Sequence, residues 1–317
     1  MQSKPSPTPS CSQILRLGAT LLLAVLATSC EDSEHFFLLN PDGSGRVTAK
    51  EKILASNFGI RDQVTLTEAA VGTLAELVAR SEGIDAWEKV TYTTTKSGDF
   101  IVEATGLFPD VSKLKLATTA MAPTLADGLK FEKGSKDSPA TLELLSPIVG
   151  AGPHKIPADA KTDDQSIAAE LEKTRNMWLG AEKDIRPEYG KKSAKITFHL
   201  SGEIKSHSNF TKEAKNQVTL EVTAPKVLDT LEKVIEDDDL ATEILKTGAE
   251  ILSPNGAPPI KPETFNKLTF GEAKPIRIEF TPGPMLFDYG SAVDNAKANQ
   301  SALLKQVEQM ALRSKQK

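Results

Sequence analysis

The sequence is short of most things that announce a function. Two cysteines, Cys11 and Cys30, serve 317 residues, which excludes the small disulfide-stapled folds. Aromatic residues amount to 5%, and Trp87, Trp178 and Tyr289 lie too far apart in sequence to suggest a stacking platform. Acidic residues outnumber basic ones, 43 to 38, which argues against the basic stripe that nucleic acid needs. No run beyond the N-terminal region reaches the roughly 20 apolar residues of a membrane-spanning helix. His35, His154, His199 and His207 form no His-Glu-x-x-His pair. The nucleophile elbow Gly-x-Ser-x-Gly and the glycine-rich phosphate loops are also missing. An enzyme assembled from distant loops stays open, but the balance favours a non-enzymatic binding or structural role.

What is present begins at the N-terminus. Lys4 and Arg16 make it basic, and Leu17–Ala27 is an apolar run too short to span a bilayer. Small residues then lead to a cysteine: Ala27-Thr28-Ser29-Cys30. This order is that of a signal peptide over residues 1–29, removed on export. The tetrapeptide resembles the lipobox of bacterial lipoproteins, with Ala27 where Leu is usual. The resemblance implies that Cys30 becomes the acylated N-terminus. Loss of residues 1–29 also removes Cys11, leaving a lone cysteine for which lipidation accounts. Membrane attachment would then rest on the acyl chains, which hold stably when there are two or more. By the same resemblance Glu31 favours the outer over the inner membrane, with the body facing the periplasm or the surface. The expected partners are therefore the membrane, through the lipid, and an envelope protein or small ligand.

The body predicts an α+β fold of mainly antiparallel hairpins packed with helices. Thr65–Gly83 carries one helical face of Ala70, Val71, Leu74, Leu77 and Val78. Val90, Tyr92 and Thr94 alternate up to Ser97-Gly98, and Phe100, Val102 and Ala104 alternate after it, which predicts a hairpin. Pro109-Asp110 starts a short helix to Leu114. Ile167, Leu171, Thr174 and Trp178 share a helical face. Strands follow at Ile196–Leu200 and Val218–Val222, and a helix from Pro225 carries Leu228, Leu231 and Ile235. Glu236–Asp239 reads as cap and first-turn charge for the next helix. A weaker third unit is Lys267–Gly283 followed by a helix from Ser291 to Leu312, its apolar face continuing through Leu303, Leu304, Val307 and Met310. The recurrence suggests repeated helix–hairpin–helix units, with the generic α+β alternative equally open. Proline and glycine collect at Ser146–Asp164, which predicts an N-terminal module over 30–150 and a C-terminal module over 151–317.

One loop has two readings. Asn40, Asp42, Ser44, Arg46, Thr48 and Glu51 fall on positions 1, 3, 5, 7, 9 and 12 of a calcium loop, with Gly45 at the sharp turn. Against calcium stand the missing first Asp, Pro41 within the loop, and period-two flanks. Those flanks favour a β-turn at Asp42-Gly43-Ser44-Gly45. This opening resembles uncharacterised envelope lipoproteins whose mature body starts with a strand, a DGSG turn and a second strand. No cofactor is expected beyond the lipid on Cys30, calcium being the alternative.

Overall fold

The computed structural model describes residues 30–54, 63–117, 128–135, 138–144, 163–247, 251 and 260–314. Within them the strands are β1 (Cys30–Leu39), β2 (Gly45–Ile53), β3 (Ala86–Thr94), β4 (Phe100–Phe108), β5 (Leu129–Glu132), β6 (Ala140–Leu144), β7 (Ser193–Leu200), β8 (Ile204–Ser208), β9 (Thr211–Ala214), β10 (Gln217–Thr223) and β11 (Ile276–Phe280). The helices are α1 (Gln63–Arg80), α2 (Asp164–Tyr189), α3 (Ala224–Glu236), α4 (Asp238–Lys246), α5 (Pro262–Phe270) and α6 (Tyr289–Ser314), with a 3-10 turn at Val111–Lys113.

Seven strands form one sheet in the order β3-β4-β2-β1-β7-β10-β9, and four form a second in the order β5-β6-β11-β8. Every pairing is antiparallel except β1 with β7. The α+β expectation holds. The division expected at residue 150 does not separate the two sheets: β1 pairs with β7 across it, and the second sheet draws β5 and β6 from one side and β8 and β11 from the other.

The inner face of the large sheet is apolar at period two. Phe37 and Leu39 of β1, Val47 and Ala49 of β2, and Ile196, Phe198 and Leu200 of β7 are all buried. Phe37 stacks on Phe198 with ring centroids 4.8 Å apart and meets Phe108 at 6.2 Å. Helix α1 covers the β3–β4 side with Ala70, Leu74 and Leu77 against Val90, Phe100 and Val102. Helices α2 and α3 cover the β7–β10 side with Leu171, Trp178, Leu228 and Leu231. Each fully buried leucine of this kind is worth roughly 1.5–3 kcal/mol. Leu142, Ile278 and Phe280 bring the second sheet into the same core.

Local signals explain several boundaries. Asp110 caps the 3-10 turn by accepting from Ser112 N, and Thr223 caps α3. Asp237 accepts from Leu240 N and starts α4, as the acidic run implied. Two expectations need correction. Lys267–Phe270 is the end of α5, not a strand; Pro262 at its first turn and Gly271 in the left-handed conformation at its end delimit a helix. The third unit therefore holds one strand, β11, and does not repeat the others. The cap of α6 is Asp288, which accepts from Ser291 N and Oγ. Residues 204–214 link the two sheets. Strand β8 belongs to the small sheet and β9 to the large one, and Asn209 turns the corner between them at φ 63. Its amide donates to the Lys274 and Glu272 carbonyls, which fixes the corner.

Candidate functional site

The outer face of the large sheet carries side chains in regular rows across the strands. Register fixes its rows. Glu103, Lys50, Glu34, Lys195 and Glu221 lie side by side across β4, β2, β1, β7 and β10, so the charge alternates from strand to strand. Lys50 reaches Glu34 at 3.4 Å and Lys89 pairs with Glu103 at 2.6 Å. The next row is Thr105, Thr48, Phe36, Thr197, Thr219 and Thr211. Its hydroxyls pair as Thr48 with Thr105 (3.1 Å) and Thr197 with Thr219 (3.2 Å). Phe36 at the centre is 37% exposed, against 0% for Phe37. A third row places Leu38 between Arg46 and His199. At the β3–β4 end, α6 covers this face with Val293 and Ala296 against Ala86 and Leu107. The same helix packs on β3 and α1, shielding an edge strand from stray pairing.

The strand ends are pinned by the Asn40–Gly45 turn. Asn40 is fully buried; its Oδ1 accepts from Leu286 N at 2.9 Å, while Nδ2 donates to Ser44 Oγ and the Phe287 carbonyl. Asp42 Oδ1 accepts from the backbone and hydroxyl of Ser44, at 2.9 and 2.6 Å. Gly43 adopts φ +92 with the Phe131 ring against it, and its carbonyl takes Val111 N. Arg46 pairs with Glu88 at 2.6 Å and stacks over Phe287 at 4.8 Å. Beside the Leu286–Phe287 strap that holds this turn, Tyr289 donates to Asp85, and burial with that carboxylate pushes the phenol up from its ordinary range.

The candidate calcium residues therefore sit in a hairpin. Asn40, Asp42 and Ser44 are in its turn. Arg46 and Thr48 face outward, and Glu51 faces the core at 1% exposure. Their alternation along β2 sends Thr48 and Glu51 to opposite faces of the sheet. Cys30 is the first residue of β1 and pairs with Ile53. The histidines do not converge. His199 is on β7, bonded to Asn216 Nδ2 at 3.0 Å, and His207 is on β8 in the other sheet. His154 lies outside the described residues. His35 is 1% exposed beside Ile196 and Ala49, with neither ring nitrogen hydrogen-bonded. Burial lowers its pKa to about 4. Ser33, paired in register with Glu51, lies on the same inner face. Among the described residues no group of three or more His, Cys, Asp or Glu side chains could hold a metal.

Two clefts accompany the helices. One, of about 440 Å³, lies between α2 and α4, where Arg175 ties the helices together through the Ile235 and Glu236 carbonyls and Asp238. The other, about 290 Å³, is lined by Glu143, Pro262, Asn266 and Pro275.

Phe36 was within reach of sequence reasoning. Phe36-Phe37-Leu38-Leu39 are four consecutive apolar residues, so a strand here must turn two of them outward. The rows themselves depend on register between strands far apart in the chain.

No family model matches the sequence, and no curated protein matches it. Among solved structures, the NMR structure of the folded domain of the Mycobacterium tuberculosis LppM protein aligns over 62% of this chain and 84% of that chain. The pair share 7% identity at a TM-score of 0.28.

Proposed function

We propose that this chain is a lipid-anchored cell-envelope protein, acylated at Cys30, which works by binding through the open face of its large sheet. The supporting observation is the position of the lipobox cysteine: Cys30 is the first residue of β1, the strand at the centre of that sheet. Cleavage before it would leave β1 whole, with Asp32 to Leu39 paired to β7 and Ser33 to Leu39 paired to β2. Among the described residues no helix is long and apolar enough to cross a membrane, so the acyl chains would be the attachment. The exposed aromatic and the ordered charge around it supply contact area and register for a macromolecular partner. Outer-membrane placement rests on Glu31.

Metabolic labelling with an alkyne palmitate analogue tests the anchor. Label is expected on the wild-type chain and none on Cys30→Ala; equal labelling of the two would overturn the reading. Sucrose-gradient fractionation of the labelled chain tests the choice of membrane.

A further inference from the structure

We propose that the outer face of the large sheet binds a second copy of the same chain, about a two-fold axis that runs between β1 and β7 and parallel to them. This deepens the proposed function and rests on the anchor at Cys30. Three observations lead to it.

The first is the charge row. A lipid surface or a polyanion would be matched by one sign of charge, whereas Glu103, Lys50, Glu34, Lys195 and Glu221 alternate at the strand spacing, which is about 4.8 Å. The surface that complements such a row is another row of the same pitch and opposite phase, as a second β-sheet offers. Rotation about the stated axis places β1 over the other copy's β7, and β2 over its β10. Glu34 then faces Lys195 and Lys50 faces Glu221, each contact occurring twice as two-fold symmetry requires. Like charges nowhere meet in the other rows: Phe36 comes over Thr197, Thr48 over Thr219, Leu38 over His199, and Arg46 over Gln217. Lys195 and Glu221 make no ion pair within one copy among the described residues.

The second is the direction of the chain. Two copies anchored in one bilayer are related by an axis normal to it. β1 leaves the anchor at Cys30 and runs parallel to β7, so an axis along these strands keeps both anchors on the same side. Charge and tether select one symmetry.

The third is area. The paired stretch of β2, β1, β7 and β10 offers on the order of 500 Å² per copy, or about 1,000 Å² in all, near the lower bound of a specific interface. A contact of that size is weak between free molecules, and confinement to one membrane raises the effective concentration.

The test uses the full-length chain in its native membranes, with the photo-crosslinker p-benzoylphenylalanine at position 36. The expected product is an adduct of two copies joined within Ser193–Leu200, made by both strands' outward residues. Lys195→Glu should abolish it, and the charge-swapped double variant Glu34→Lys/Lys195→Glu should restore it. An adduct with a different protein or with lipid overturns self-association and leaves the binding face standing. No adduct at all overturns both. Failure of the double variant to restore the adduct overturns the axis. Palmitate labelling of the same sample reports on the anchor separately.

Discussion

Phe36 and Phe37 are adjacent in β1, yet one is 37% exposed and the other 0%. The two faces of this strand obey different rules. Inward, Phe37 is held between Phe198 and Phe108, and its value lies in volume and fit. Outward, Phe36 is flanked by Thr48 and Thr197 and keeps part of its ring in solvent. The inner face also carries a polar exception, Ser33 and His35 with Glu51 opposite, at the end of the sheet nearest Cys30. On the inner face of β1 the large apolar side chains, Phe37 and Leu39, thus lie toward the turn, and the polar ones toward Cys30.

The contrast breaks most sharply by truncation. Phe37→Ala should lose about 3–5 kcal/mol of unfolding free energy, the cost of a large cavity, read as a fall in the urea midpoint. Phe36→Ser should stay within about 0.5 kcal/mol. Equal losses would mean that the outer face is itself core.

Acid gives the next largest effect. Burial holds His35 at about 4, so the folded chain carries it neutral, whereas the unfolded chain titrates it near 6.5. Between these values the unfolded state binds the extra proton. Its contribution is therefore intact above 6.5 and lost as pH falls toward 4, by about 3 kcal/mol in all. The difference between wild-type and His35→Leu stability curves should show that slope in this window and none above it.

A smaller effect tests the pin at the turn. Asn40→Ala leaves Leu286 N without its acceptor and should cost about 1–3 kcal/mol. It should also loosen the strap, read as faster amide exchange at Leu286 than in the wild type.

Much of the self-contained local chemistry was readable. The hairpins at Asn40–Gly45 and Ser97-Gly98, the faces of α1 to α3 and the Asp237 cap each depend on residues a few positions apart. Strands β8 and β9 escaped because Lys205-Ser206-His207 and Thr211–Ala214 are nearly all exposed, so no buried alternation marks them. β5 is short and pairs with a single neighbouring strand. Helix α5 was readable from Pro262 and Gly271, but the alternation of Leu268 and Phe270 suggested a strand. The turn residues were found, yet their task was not: Asn40 is held by a segment 246 residues away, and composition cannot show that. The outer rows were hidden for the same reason.

The parallel joint between β1 and β7 carries a consequence for biogenesis. The middle of the large sheet is built from the first strand and one that begins at residue 193. As the chain emerges, the β1–β2–β4–β3 ribbon can assemble early, but its β1 margin waits, with its backbone amides unmet, until most of the polypeptide has followed. Long-range closure of this kind slows folding and leaves a sticky border open in the interval. A folding escort that shields Asp32–Leu39 during that delay would raise the yield of folded protein more than one acting on either hairpin.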